Sequence, residues 1–389
     1  MRKWLRRPLC ELAEFERELI QPDEIPPGTI YVGLEHITSN GTLVGARPIE
    51  SHTLASTKFR FSNRHILYGK LRPYLAKIAC PEFSGVCSTD ILPILPGPEI
   101  DRRFLFHYLR WPKIVRYAAS KAVGANLPRL STSVLGSVQI PVPPLDEQRL
   151  IAEMLDRAEA LINSRRKSLT TLDGLIRTLF VDSFGDIAIN TRRWPTIRLQ
   201  ELLTAPPRNG VSPAKGGTAN YNVLTLSAIT GREFDVTAVK NGSFVSIPGP
   251  QYMVDENDFL ICRGNGNLDL VGRGHFPPYS MPGVIFPDTM IAIRLSADLV
   301  DKVFFEQMWN SPLVRRQIEL LARTTNGTYK INQTMLADIT LVVPPIELQR
   351  KFGEQVSTIQ QLKSKYRTSL VQFEALYASL QHRAFKGEL

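Results

Sequence analysis

Gln139-Ile-Pro-Val-Pro-Pro-Leu-Asp-Glu-Gln-Arg149 returns as Thr340-Leu-Val-Val-Pro-Pro-Ile-Glu-Leu-Gln-Arg350, 201 residues further along a chain of 389. Each copy runs into a long apolar pattern, and the same offset carries one pattern onto the other. The first seam reads Ile151, Leu155, Ala158, Ile162, Arg165, Leu169, Leu172, Ile176, Leu179. The second reads Phe352, Val356, Ile359, Lys363, Tyr366, Leu370, Phe373, Tyr377, Leu380. Steps alternating between four and three residues keep one stripe of a helix facing a partner helix. Two matched seams in one chain most simply pair with each other.

The duplication reaches beyond the helices. Trp4, Leu9 and Glu11-Leu12 match Trp194, Leu199 and Glu201-Leu202 at an offset of 190, so the second globular unit carries about eleven extra residues. The plan divides as 1–145 for the first head, 146–184 for the first spacer helix, 185–345 for the second head and 346–389 for the second helix. Each head reads as mixed α/β. In the first, aliphatic runs such as Thr29–Leu34 and Asp90–Leu95 predict strands, and Phe104–Leu109 and Val115–Lys121 predict short helices around Pro112. The second repeats this around Pro312. Each long helix starts just after Pro-Pro, with acid at its positive end, and Gly185 is placed to cap the first. The fold class is therefore a duplicated α/β (α+β) chain. Two heads are separated by two long helices that pair as an antiparallel coiled coil with pseudo-two-fold symmetry. Arg165, Lys363 and Tyr366 depart from the apolar seam, and there they either pin its register or snorkel to its edge.

Lys plus Arg exceed Asp plus Glu by 47 to 37, a net charge of +10 that suits a polyanionic partner. The four cysteines, Cys10, Cys80, Cys87 and Cys262, form no CxxC pair, so neither zinc nor a disulfide framework is indicated. No stretch, including the one after Met1-Arg2-Lys3, has signal-peptide or membrane-span length, and a soluble cytoplasmic protein with no membrane partner is expected.

Two similar, basic heads on a rigid spacer suit a bipartite site on double-stranded DNA, whose equivalent groove faces recur about every 34 Å. Direct readout uses Arg, Lys, Asn or Gln on loops, and phosphates are held by Lys and Arg. The first head offers Lys58, Arg60, Lys70, Arg72, Tyr74, Lys77 and Arg129. The second offers Arg263, Asn265, Asn267, Arg273, Arg323, Lys330 and Asn332, with Asn326 in the same stretch. Arg129 and Lys330 are equivalent at the 201 offset, and phosphate contacts are expected from both.

The Pro-Pro-x-x-x-Gln start of a long helix, present twice at this spacing, resembles the specificity (S) subunit of Type I restriction-modification enzymes over essentially the whole chain. The resemblance implies that the heads are target recognition domains reading the halves of a split site. It also implies that the helix pair docks two methylation subunits, which motor-nuclease subunits join. N6-adenine methylation and ATP-dependent cleavage would then belong to the assembly, with AdoMet, ATP and Mg²⁺ on the other chains and no cofactor in this one. One departure is Leu348 where the first repeat has Glu147.

No catalytic centre is expected in the chain itself. Phe276-Pro-Pro-Tyr279 puts Phe where an adenine methyltransferase needs a polar acceptor for the flipped base. No GxxxxGK[ST] loop occurs, nor any Glu-x-Lys or Asp-x-Lys triplet of the metal-dependent nuclease kind. His36, His52, His65, His107, His275 and His382 show no ligand spacing, so no metal is expected, and Cys87-Ser-Thr-Asp90 reads as a structural turn. A second reading is a nucleic-acid-binding adaptor of another defence or repair system on the same duplicated plan. A third is an enzyme with an unfamiliar centre.

Overall fold

The structure is a computed structural model that describes residues 4–50, 54–214, 216–325 and 327–389. Met1–Lys3, His52 and Asn326 lie outside the described residues. The chain forms two compact units, Met1–Lys167 with Tyr366–Leu389, and Ser168–Lys365. Each contains one head and half of each long helix.

The heads share a strand plan that their sequences barely show. In the first, an antiparallel sheet runs in the order Ala13–Phe15, Ile91–Pro96, Ile66–Gly69, Ile78–Ala79. The second repeats it as Arg208–Asn209, Met290–Arg294, Asp258–Cys262, Gly274–His275. A second sheet in each is built around one parallel pair, Ile30–Val32 with Gly85–Cys87 and Ala219–Leu224 with Met281–Ile285. The first head adds an outer strand, Leu19–Ile20. A short ribbon closes each head, Arg6–Pro8 on Gln139–Pro141 and Thr196–Arg198 on Thr340–Val342, so the start of the head lies beside the segment that enters the long helix.

The expected short helices are Arg102–Leu109 and Pro112–Lys121, answered by Lys302–Trp309 and Pro312–Leu321. Pro112 and Pro312 each begin the second helix of the pair, where a fixed φ and a missing donor cost nothing. Asp101 and Asp301 cap the first, accepting the amides of Phe104 at 2.9 Å and Phe304 at 3.0 Å.

The long helices are Leu145–Phe184 and Ile346–Lys386, and Gly185 follows the first at φ +78° as a left-handed stop. Antiparallel pairing is seen in each unit separately. In the first, Arg165 stacks on Tyr366 at 4.2 Å and Arg166 donates to Glu374 at 2.7 Å. In the second, Phe180 packs edge-on against Phe352 at 5.5 Å, while Asp173 meets Lys363. Every seam position named from the sequence is buried or half-buried. The apolar stripe also runs further than the heptads indicate, through Phe180 and Phe184 in one unit and Ala384 and Phe385 in the other, as the helices pass into the head cores.

One reading of Lys363 is overturned. It does not snorkel. It is 3% exposed, and two carboxylates come to it, Asp173 at 2.7 Å from the facing helix and Glu233 at 2.9 Å from the second head. Its counterpart in the first unit is Ile162, while the counterpart of Asp173 is Glu374, which pairs with Arg166 instead.

Candidate nucleic-acid interface

Gln148 and Gln349 decide how each head sits on its helices. Both are fully buried. Gln148 accepts the amide of Asp101 at 2.8 Å and donates to the carbonyls of Pro143 at 2.8 Å and Glu99 at 3.0 Å. Gln349 repeats this with Asp301 at 2.9 Å, Pro344 and Leu299. A primary amide is the side-chain group that can accept once and donate twice here. The repeated Pro-Pro-x-x-x-Gln is therefore a structural stitch, which fixes the helix capped by Asp101 or Asp301 to the first turn of the long helix.

With the scaffold held, each head presents the same backbone junction. In the first, Arg129 bridges to Leu71 on one side and Val123 on the other. In the second, Lys330 pairs with Gly264 and Arg323 in a three-stranded sheet. The equivalence of Arg129 and Lys330 is thus a feature of the fold. Their side chains differ in circumstance: Arg129 grips Asp90 through two bonds of 2.9 and 3.2 Å, whereas Lys330 is exposed and meets no acid among the described residues.

The other candidates divide by what already holds them. Lys58 is a correction. It is buried at the start of the strand Lys58–Phe61, its ammonium turned back onto the Ser56 hydroxyl at 2.7 Å and set over Tyr31, and burial pushes its pKa down. No phosphate can reach it there. Lys77 is tied to the Leu34 carbonyl at 2.5 Å and Arg273 to those of Asp269 and Thr230. Asn267 and Asn332 cap short helical turns, and Arg60 pairs with Glu18. Lys70, Arg72, Tyr74, Asn265, Arg263, Arg323 and Lys330 remain exposed or half-exposed around the two junctions. Arg263 leans on the Asp288 carbonyl at 3.2 Å, and Arg72 reaches the Asn126 carbonyl at 3.5 Å. Among the described residues none of the cations in this group meets an acidic side chain.

The histidines without ligand spacing hold one surprise, since His107, Asp156 and Glu159 bring their ligand atoms within 4.8 Å of one another. The acids are already matched by arginines: Arg103 and His107 bond Asp156, and Arg110 bonds Glu159 at 2.8 Å. Burial works against the Asp156 charge, but these bonds outweigh it and hold its pKa down to about 2. The cluster joins the head to both long helices, through Tyr377 as well, and two guanidinium groups fill the place a cation would take. Cys87 is buried, and Phe276 of the Phe-Pro-Pro-Tyr turn packs on Phe259 at 4.9 Å, so neither presents a reactive group. No described helix is long and apolar enough to cross a membrane.

Residues 2–172 match the Type I restriction modification DNA specificity domain. The EcoKI specificity subunit of Escherichia coli K12 is 23% identical over 313 residues, covering 76% of this chain and 67% of that one. The StySPI specificity subunit of Salmonella potsdam is 24% identical with the same coverage. Among solved structures, the Type I S subunit from M. genitalium shares the fold at a TM-score of 0.60 and 16% identity, covering 98% of this chain and 96% of that one. A chain from a study of type I R-M complex assembly shares it at 0.58 and 20% identity, covering 99% and 98%. The first head and the start of its helix thus match the Type I restriction modification DNA specificity domain, the second head repeats the strand plan, and the whole chain shares the fold of a Type I S subunit.

Proposed function

We propose that each head reads one half of a split site on double-stranded DNA and that the helix pair carries the partner subunits. The observation that supports this best is the repeated junction. Two heads of divergent sequence present, around the same backbone junction, basic side chains that meet no acid among the described residues: Lys70 and Arg72 in one, Arg263, Arg323 and Lys330 in the other, with Lys70 and Arg263 at equivalent positions. Phosphate contacts there position the duplex, and the differing neighbours read bases.

The chain's own residues supply binding and no chemistry. AdoMet, ATP and Mg²⁺ belong on partner subunits, two for methylation and others for motor and nuclease work, so adenine-N6 methylation and ATP-dependent cleavage belong to the assembly. For docking, the helices offer the same exposed apolar residues in each unit. Three residues just after seam positions turn toward the heads: Glu159 to Arg110, Gln381 to the His107 carbonyl, Gly353 against Asp301. Among the residues just before seam positions, on the other edge, are four exposed leucines repeated between the two helices, Leu161 and Leu376 in the first unit, Leu175 and Leu362 in the second. The 201 offset relates Leu161 to Leu362 and Leu175 to Leu376, so each unit carries a copy of the same apolar patch.

The test is expression with a Type I methylation subunit in a methylation-free host, followed by sequencing of the genome for modified adenines. A split motif that appears only with this chain is the expected result. A soluble complex with an active methylation subunit and no motif would favour the adaptor reading.

A further inference from the structure

The two heads differ most in chemistry at the repeated junction. In the first, Pro73–Leu75 forms a tight turn packed against the helix Pro112–Lys121 and flanked on both sides by non-glycine residues in the left-handed region, Arg72 at φ 51° and Ala76 at φ 48°. Each costs steric strain, and backbone strain of this kind clusters at binding sites. The amide of Arg72 bonds the Pro128 carbonyl at 2.7 Å, which locks the turn to the loop 123–129. Beside the polar Asn126, this turn and loop expose three large apolar residues: Tyr74 is 55% exposed, Val123 80% and Leu127 47%. They stand among Lys70, Arg72 and Arg129. In the second head the corresponding positions are polar. Asn267 falls where Tyr74 does, Arg323 answers Val123, and Thr328 answers Leu127.

A large apolar side chain exposed among cations gains nothing from water and a great deal from a base face or a thymine methyl. We propose that Tyr74, with Val123 and Leu127, forms an apolar tip that enters a groove of the DNA and reads the first head's half-site by contact with base surfaces, while the second head reads its half-site by hydrogen bonds. This rests on the DNA-reading function above. The duplex is the occupant the charge favours, because Lys70 and Arg72 beside the tip meet no acid among the described residues.

The experiment compares methylated motifs in a host carrying the methylation subunit with wild-type, Tyr74→Ala, Leu127→Ser or Lys70→Ala chains. With Tyr74→Ala or Leu127→Ser, base preference should fall about ten-fold at one or two positions in one half of the split motif. The other half should be unchanged, which also shows that the complex has folded, and Tyr74→Phe should restore the wild-type motif. Lys70→Ala should lower methylation at all sites without altering the motif. Tyr74→Ala and Leu127→Ser chains that keep both halves of the motif intact would overturn the proposal. So would an equal loss of preference in both halves, or Tyr74→Ala losing the soluble complex. A wild-type chain that yields no motif would instead remove the DNA-reading function beneath it.

Discussion

At the scale of single residues, the strongest signal in the sequence proves to be architectural. Gln148 and Gln349 recur because a buried cluster of one amide and two carbonyls needs a group that accepts once and donates twice. Replacing either with Ala leaves those three backbone groups unpaired in the interior, and a stability loss of about 2–4 kcal/mol is expected for each. Gln148→Glu should cost at least as much near neutral pH, since a carboxylate oxygen then faces the carbonyls of Glu99 and Pro143. Denaturant melts of the three variants check this. The misreading of Lys58 belongs at this scale too. In Lys58-Phe-Arg-Phe61 the charges alternate with aromatics as on a half-exposed strand, so Lys58 and Arg60 share one face, and only the fold tells which of them is covered. Here Arg60 is exposed and Lys58 is buried. Asn267, Arg273 and Asn332 were legible as polar residues on loops, but a side chain that caps a turn or ties a carbonyl has the same composition as one that reads a base.

At the scale of elements, the helices were legible and the sheets were not. A heptad seam is a long periodic signal, and every predicted seam position is buried or half-buried. The strands are mostly two to six residues long, too short for a period to establish itself, so their shared order emerges only from the pairing. The same pairing holds two buried histidines whose pKa values are shifted in opposite directions. His107 ties the helix Arg102–Leu109 to both long helices, its Nε2 bonded to Asp156 at 2.7 Å and its Nδ1 to the Tyr377 hydroxyl at 3.1 Å. Burial outweighs the pull of Asp156 and holds its pKa below the ordinary 6.5. The unfolded chain then takes up a proton first as pH falls, so the stability His107 contributes is complete above 6.5 and is lost below it. His275 ties the strand Gly274–His275 to Glu306. Burial opposes its charge, but the Glu306 bond prevails and raises its pKa. Its contribution is complete below 6.5 and is lost as pH rises through the raised value. Protection factors from hydrogen exchange should therefore fall in 102–121 on acidification below pH 6.5 and in 302–321 on alkalinisation above it. His107→Gln should flatten the first response and His275→Gln the second. A shared response of both segments would mean that these histidines do not set it.

At the scale of the whole molecule, the duplication bears on the docking proposed above, since a surface present twice would serve two partners on equal terms. An exposed leucine is unremarkable alone, but four that occupy the same edge position in both repeats, while residues of the opposite edge turn toward the heads, describe a surface built twice. Leu161 with Leu376 and Leu175 with Leu362 each flank one stretch of seam within one unit. A partner helix laid along either pair would bury two leucines, each worth roughly 1.5–3 kcal/mol. A carboxylate placed there would have to be desolvated by the same contact. Leu161→Glu with Leu376→Glu should then release one methylation subunit and leave the other, and Leu175→Glu with Leu362→Glu should do the converse. Native mass spectrometry of the co-purified complex reads this as one partner in place of two, and the four-fold variant should bind none. DNA binding by the isolated chain should be unchanged, because the leucines lie on neither junction. A four-fold variant that still carries two methylation subunits would place docking on the heads, and the exposed leucines would then need a different occupant.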